Sequence, residues 1–219
     1  MGCAGSKADP SLLVAQTAPA NSIVANGVGA QVMELSVAHE NVRMTKGAEW
    51  IRYKVADAPL VSIGPLAGLV CQGEAKVLPI SGADGKQVAA IYAGEPKDYM
   101  RGRGRSVLYA TVGTDGASGH ESKFTADGTP LHAVGEIRPL GDGKSFTKGE
   151  GFYPAGPDGG FAAEPALIYK GRQITTGKGE VVGLPANMLK TKWLFAAGVD
   201  VVTLIALREE YTNAEQSMG

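Results

Sequence analysis

From about residue 31 the chain alternates apolar and polar positions in short runs. Met33, Leu35 and Val37 alternate with Glu34 and Ser36, and Ile51, Tyr53 and Val55 with Arg52 and Lys54. A period of two puts every apolar side chain on one face, so both runs predict half-buried strands. Asp-Gly pairs recur at Asp84-Gly85, Asp115-Gly116, Asp127-Gly128, Asp142-Gly143 and Asp158-Gly159. Both residues tolerate the positive φ of a type I′ turn, so the pairs predict tight hairpins and an antiparallel meander. The flanking strands are expected at residues 86–93, 106–112, 131–137 and 166–169, the last turning at Lys170-Gly171 into 173–176.

The C-terminal segment has a different period. Trp193, Leu194, Phe195, Val199, Val201, Val202, Leu204, Ile205 and Leu207 cover all sides of a helix, and Arg208, Glu209 and Glu210 mark a polar exit. A helix apolar all round is buried on all sides. The spacing predicts a helix over residues 193–213, about 30 Å long. Together these features predict a mainly β fold, an antiparallel closed barrel of about 10–12 strands around a hydrophobic C-terminal helix. The barrel domain is assigned to residues 31–219, and residues 1–30 to a flexible, acylated N-terminal tail. Asp200 is a lone carboxylate in the apolar segment; buried alone it would cost several kcal/mol, so it must meet a donor.

The string from Ala196 to Leu207, AAGVDVVTLIAL, resembles the C-terminal hydrophobic helix of the tubby-like superfamily, which includes LURP-one-related proteins and phospholipid scramblases. The resemblance implies a barrel of about twelve strands wrapped around a central helix. It rests on that string and the hairpin rhythm. The Pro-rich N-terminal region, cysteine cluster and calcium-ligand segment of scramblases have no counterpart here, nor has the terminal signature of tubby proteins proper. The LURP-one-related branch is the best fit.

The first residues, Met-Gly-Cys-Ala-Gly-Ser, fit the N-myristoylation pattern, with Gly2 as acceptor after Met removal and a serine at position 6. Cys3 adds a thiol for palmitoylation. One myristoyl chain binds membranes with a constant of only about 10⁴ M⁻¹, so the second chain converts transient contact into residence. The arrangement resembles the dually acylated N-termini of Src-type kinases and G-protein α subunits. A secretory signal is not expected, because the run Leu12–Ala15 is short and ends at Gln16, Thr17 and Pro19. The apolar stretch 193–207 falls short of the roughly 18 residues needed to span a bilayer. Anchoring is therefore expected through acyl chains, at the cytoplasmic face of a membrane and first of all the plasma membrane.

Composition narrows the remaining classes. The 219 residues include 31 Gly and 12 Pro, which favours many turns, and carry a net charge of −1, which steers toward neither nucleic acid nor an anionic surface. Cys3 and Cys71 sit in contexts too different for a disulfide, and Cys71, beside Leu69 and Val70, reads as a buried hydrophobe. His39, His120 and His132 lack metal-ligand spacing, and no nucleophile elbow, Walker loop or dinucleotide fingerprint occurs. No catalytic residue, metal or cofactor is assigned.

One charge feature stands out: Lys97 followed by Arg101, Arg103 and Arg105 at alternate positions, separated by glycines. Extended, the three arginines share a face that an anionic headgroup could approach closely. Glu95 and Asp98 offset part of the charge, and a solvated hairpin loop is the alternative reading; an RNA-binding Arg-Gly segment would need interleaved aromatics. The functional expectation is a lipid-anchored, non-enzymatic binding or adaptor protein, recognising a phosphoinositide or other anionic headgroup, or a protein partner. The alternatives are a scramblase-like lipid-handling protein and an enzyme whose site is assembled from scattered residues.

Overall fold

Period-two alternation builds the first antiparallel pair, Met33–Asn41 (β1) and Glu49–Val55 (β2), with Leu35 opposite Val55 and Val37 opposite Tyr53. The structure, a computed structural model, describes residues 8–19, 22–24, 27–41, 49–64, 70–72, 75–93, 105–112, 123–140, 149–187 and 191–216. The chain continues through Ala58–Ile63 (β3), Val70–Gln72 (β4), Ala75–Gly82 (β5), Gln87–Ala93 (β6) and Ser106–Ala110 (β7). Lys123–Phe124 (β8), Pro130–Pro139 (β9), Glu150–Pro154 (β10) and Leu167–Lys170 (β11) follow. The last strands are Gln173–Thr176 (β12), Val181–Pro185 (β13) and Lys192–Phe195 (β14), before the helix Val201–Gln216 (α1).

Twelve of these strands form a closed antiparallel ring, β1-β2-β3-β5-β6-β7-β9-β10-β11-β12-β13-β14. Met33 opposite Phe195 on β14 closes it. The short strands β4 and β8 lie off the ring, paired to the beginnings of β5 and β9. Antiparallel neighbours make successive ring connections alternate between two rims. We call them the cap end, where α1 begins, and the exit end, toward which it runs.

Every ring strand sends apolar side chains inward, from Leu35 and Val37 on β1 to Trp193 and Phe195 on β14. They enclose the first two turns of α1, where Val201, Val202, Leu204, Ile205, Ala206 and Leu207 are all at most 1% exposed. A 12-stranded ring is too wide to fill with its own side chains, and the helix supplies the missing volume. A second apolar cluster lies on the outer face of β5, β6, β7 and β9: Val77, Ala90, Tyr92, Tyr109, Leu131 and Ala133, with Phe161 and Ala155 packed on it. Tyr92 and Tyr109 meet edge to face there at 5.2 Å.

The structure corrects three expectations. Residues 192–195 are strand β14, so the helix begins at Val201 and not at 193. Gly198, at φ +79°, turns the chain, and an added Cβ there would collide with the Gln16 carbonyl. Asp200 then caps the helix, its Oδ1 accepting from the Thr203 amide at 3.1 Å. The hairpin glycines take positive φ as expected, but the aspartates before them do not. The turns at Asp84-Gly85, Asp127-Gly128 and Asp158-Gly159 share one pattern: the glycine amide bonds back to Gly82, Thr125 and Gly156 in turn, giving a type I turn followed by a left-handed glycine rather than type I′. Asp115-Gly116 and Asp142-Gly143 lie outside the described residues.

Nor is the N-terminal segment a free tail throughout. The Val14 amide bonds to Val181 O at 2.8 Å and the Gln16 amide to Ala197 O at 2.9 Å, while Ile23 and Val24 are buried in the main core. Gly27 and Gly29 accept from Val201 and Gly198 at the helix start. The described parts of residues 9–29 therefore strap across the cap end.

Candidate functional site

Two turns along α1, polar groups enter the lumen. Arg208 and Glu209 are 6% and 3% exposed and face Tyr53 on β2, which is 1% exposed. Arg208 Nη1 donates to Tyr53 Oη at 2.7 Å, and both Arg208 and the Tyr53 hydroxyl donate to Glu209 Oε1. The guanidinium also lies 5.6 Å from the ring centre of Trp193, which meets Tyr169 edge to face. Burial, then the Glu209 carboxylate, holds the Tyr53 phenol well above its ordinary pKa, so it stays neutral. Burial pulls Arg208 down, but Tyr53 and Glu209 outweigh it and the guanidinium stays charged. Such a set of buried partners fixes helix register; losing one member would cost about 3–5 kcal/mol by stranding the others. One residue on, Glu210 accepts from the Ser106 hydroxyl at 2.6 Å, and burial raises its carboxyl above the usual range.

Outside the barrel, at the exit end, a second charged group surrounds Glu136 on β9, which is 5% exposed. Arg138 Nη1 donates to it at 3.2 Å, and Arg105 Nη1 lies 3.7 Å away. The Arg138 guanidinium is stacked 3.7 Å above the Tyr153 ring, which orients it. Two guanidinium groups against one carboxylate leave a positive excess, and the Arg105 side chain, 71% exposed, presents it to solvent.

Of the residues singled out from sequence, Arg105 stands here, directly before β7. Gly2, Cys3, Lys97, Arg101 and Arg103 lie outside the described residues, as does His120. His39 falls on β1, His132 on β9 and Cys71 on the off-ring strand β4. Among the described residues no group of three metal-ligating side chains converges, and no helix is long and apolar enough to cross a membrane. Asp200 meets its donors: besides capping the helix, its Oδ2 accepts from the Ile23 amide at 3.0 Å and from Ser22 Oγ at 3.2 Å. Sequence reasoning missed the Tyr53, Arg208 and Glu209 set. Its only local signal was an Arg-Glu pair directly after an unbroken apolar run, read as an exit to solvent.

No protein-family model, curated protein or solved structure matches this chain.

Proposed function

We propose that the chain is a non-enzymatic, lipid-anchored binding or adaptor protein, held at the cytoplasmic face of a membrane, first of all the plasma membrane, by acyl chains on Gly2 and Cys3. The observation that carries the reading is the filled lumen. With Val201 to Leu207 buried on every face by the ring, the barrel interior is core, and recognition falls to its rims and outer face. The polar set inside is consistent with this, since Tyr53 is held neutral and Arg208 Nη1 donates to both Tyr53 and Glu209.

The strap adds support. The chain joins the barrel at Val14 and Gln16, so the acylation motif lies close in sequence to a docked segment rather than at the end of a long linker. Membership of the tubby-like superfamily is part of the proposal, supported by an enclosed C-terminal helix in a 12-stranded ring. Two ligand classes fit: an anionic headgroup at Lys97, Arg101, Arg103 and Arg105, or a protein partner.

The test is fractionation of the protein expressed in eukaryotic cells. Gly2→Ala is expected to move it to the soluble fraction, and Cys3→Ser to leave weak, exchanging membrane association. A Gly2→Ala protein that pellets with membranes as the parent does would refute the anchor.

A further inference from the structure

Among the described residues, the large apolar side chains left exposed are Leu12, Val14, Val32 and Phe124, and all four stand at the cap end. Leu12 and Val14 flank Leu13, which packs onto the main core, so the strap presents them on its outer side. Val32 directly precedes Met33, which is opposite Phe195 where the ring closes. Phe124 is opposite Pro130 on a hairpin that rises above the ring, since β7 pairs with β9 only from His132 onward. Its neighbour Lys123 lies over the Tyr92 ring of the outer cluster, so Phe124 takes the other face, toward the barrel axis. Scattered singly, such residues need no account; gathered at one end of a barrel, they mark a contact surface.

Charge selects what that surface meets. The strap and the cap-end turns expose Asp9, Asp57, Asp84, Asp127, Asp158 and Glu164, against Lys86 and Lys178, with Glu180 and Lys123 half-buried. On the strands beside them Glu34 is paired with Lys192 at 2.8 Å, and Lys54 is half-buried. Residues 113–122, between β7 and β8, add no Lys or Arg, and Lys7 is the one cation ahead of the strap. Such a rim repels anionic lipid and attracts a cationic partner.

We infer that the cap end is the docking surface for a basic amphipathic helix of a partner protein, which deepens the adaptor reading by naming the class of partner. A ring of twelve strands is about 24 Å across, the length of a helix of about 16 residues. Laid over the strap, the apolar stripe of that helix meets Leu12, Val14 and Val32 on the side of β13, β14 and β1 and Phe124 on the side of β9. Lys or Arg residues flanking the stripe reach the carboxylates of the rim. Where the helix is met rests on the acyl-anchor reading; the binding does not. Cys3 is six residues from Asp9, at most about 21 Å of chain, so the cap end stays near the bilayer. The cytoplasmic ends of membrane-spanning helices carry an excess of Lys and Arg, which makes a juxtamembrane segment the expected source.

Two measurements test this. In the first, the non-acylated full chain is titrated with an amphipathic helical peptide of Leu and Lys about 16 residues long. Its controls are a scrambled peptide of the same composition, the same helix with Glu in place of Lys, and vesicles of phosphatidylcholine and phosphatidylserine. The Leu-Lys helix is expected to bind most tightly. The variant Leu12→Ser, Val32→Thr, Phe124→Ser should bind it about tenfold more weakly or worse, and so should Asp57→Asn, Asp158→Asn, Glu164→Gln, the second loss shrinking as salt rises. Both should keep the parent's melting curve, because all six side chains are exposed. Asn is chosen at 57 because φ there is +68°. No binding of the Leu-Lys helix, an unaffected variant of either kind, or equal or tighter binding of the scrambled peptide, the Glu helix or the vesicles overturns the docking surface. In the second, the acylated protein is mixed with phosphatidylcholine vesicles that carry the Leu-Lys helix joined to a membrane-spanning segment. Omitting the helix is expected to weaken binding about tenfold or more, and equal binding overturns the juxtamembrane placement. If intact mass shows no acyl chains, the anchor reading and that placement fall together, and the peptide titration still decides the docking surface.

Discussion

Asp200 ties the N-terminal strap to the central helix, and removing its carboxylate measures that tie. In Asp200→Ala the Thr203 amide loses its cap, which costs about 1 kcal/mol. The Ile23 amide, on a residue 6% exposed, loses its acceptor as well, at about 1–3 kcal/mol. Ser22 loses little, because its hydroxyl still donates to Val24 O at 2.7 Å. The expected cost is therefore about 2–4 kcal/mol, which in a chain of this size lowers Tm by roughly 5–15 °C. Asp200→Asn keeps one oxygen acceptor and puts an NH₂ in place of the other, so it should satisfy one of the two amides and fall near half that loss. Urea denaturation followed by tryptophan fluorescence and circular dichroism gives both values, with coincident curves as the check on a single transition. Hydrogen exchange at Ile23 should quicken in the alanine variant. A loss below about 0.5 kcal/mol for Asp200→Ala, or equal losses for Ala and Asn, would refute the shared-carboxylate reasoning.

Other perturbations address the core and the exit end. Leu204, fully buried among the strands, should not tolerate charge: Leu204→Asp costs several kcal/mol against a total of about 5–15 and should abolish the cooperative melt, whereas an unchanged curve would mean an exposed face. Burial raises the Glu210 carboxyl, so the folded state holds its proton to higher pH than the unfolded chain does, and stability falls as pH rises from the ordinary carboxylate value through the raised one. Glu210→Gln, which can still accept from Ser106, should therefore melt above the parent at pH 7.5 and close to it at pH 4. A difference of equal size at both values would count against the burial account.

Much of the barrel is legible in the chain because one face of most strands is wetted. Met33 to Val37 and Ile51 to Val55 alternate cleanly, and they are β1 and β2 in register. Where both faces are covered, the pattern thins. Ala89-Ala90-Ile91-Tyr92 on β6 is buried throughout, because Ala89 and Ile91 face the helix and Ala90 and Tyr92 face the outer cluster. Trp193 to Phe195 misled for a related reason: three consecutive large apolar residues satisfy a helix and a doubly covered strand equally. The boundary was written in Gly198 and Asp200, a left-handed turn and a cap, which a search for membrane spans treats only as interruptions. The Ala56-Asp57 turn has no glycine, yet both residues take positive φ, a conformation that the strands on either side impose. Tyr53 and Glu209 are 156 positions apart, so no local pattern could join them.

The end of the barrel at which each connection lies was legible only after the ring was known. In an antiparallel barrel successive connections lie at opposite ends, so the end at which a residue stands follows from the number of ring crossings before it. Parity is the key, and β4 and β8 disturb it, since each is a strand that does not cross the ring. Counting β4 as a crossing would assign Arg105, directly before β7, to the same end as the N-terminal strap. With β4 beside β5 and off the ring, Arg105 falls opposite the strap. One three-residue strand thus decides which end of the barrel carries the Arg105, Glu136 and Arg138 group.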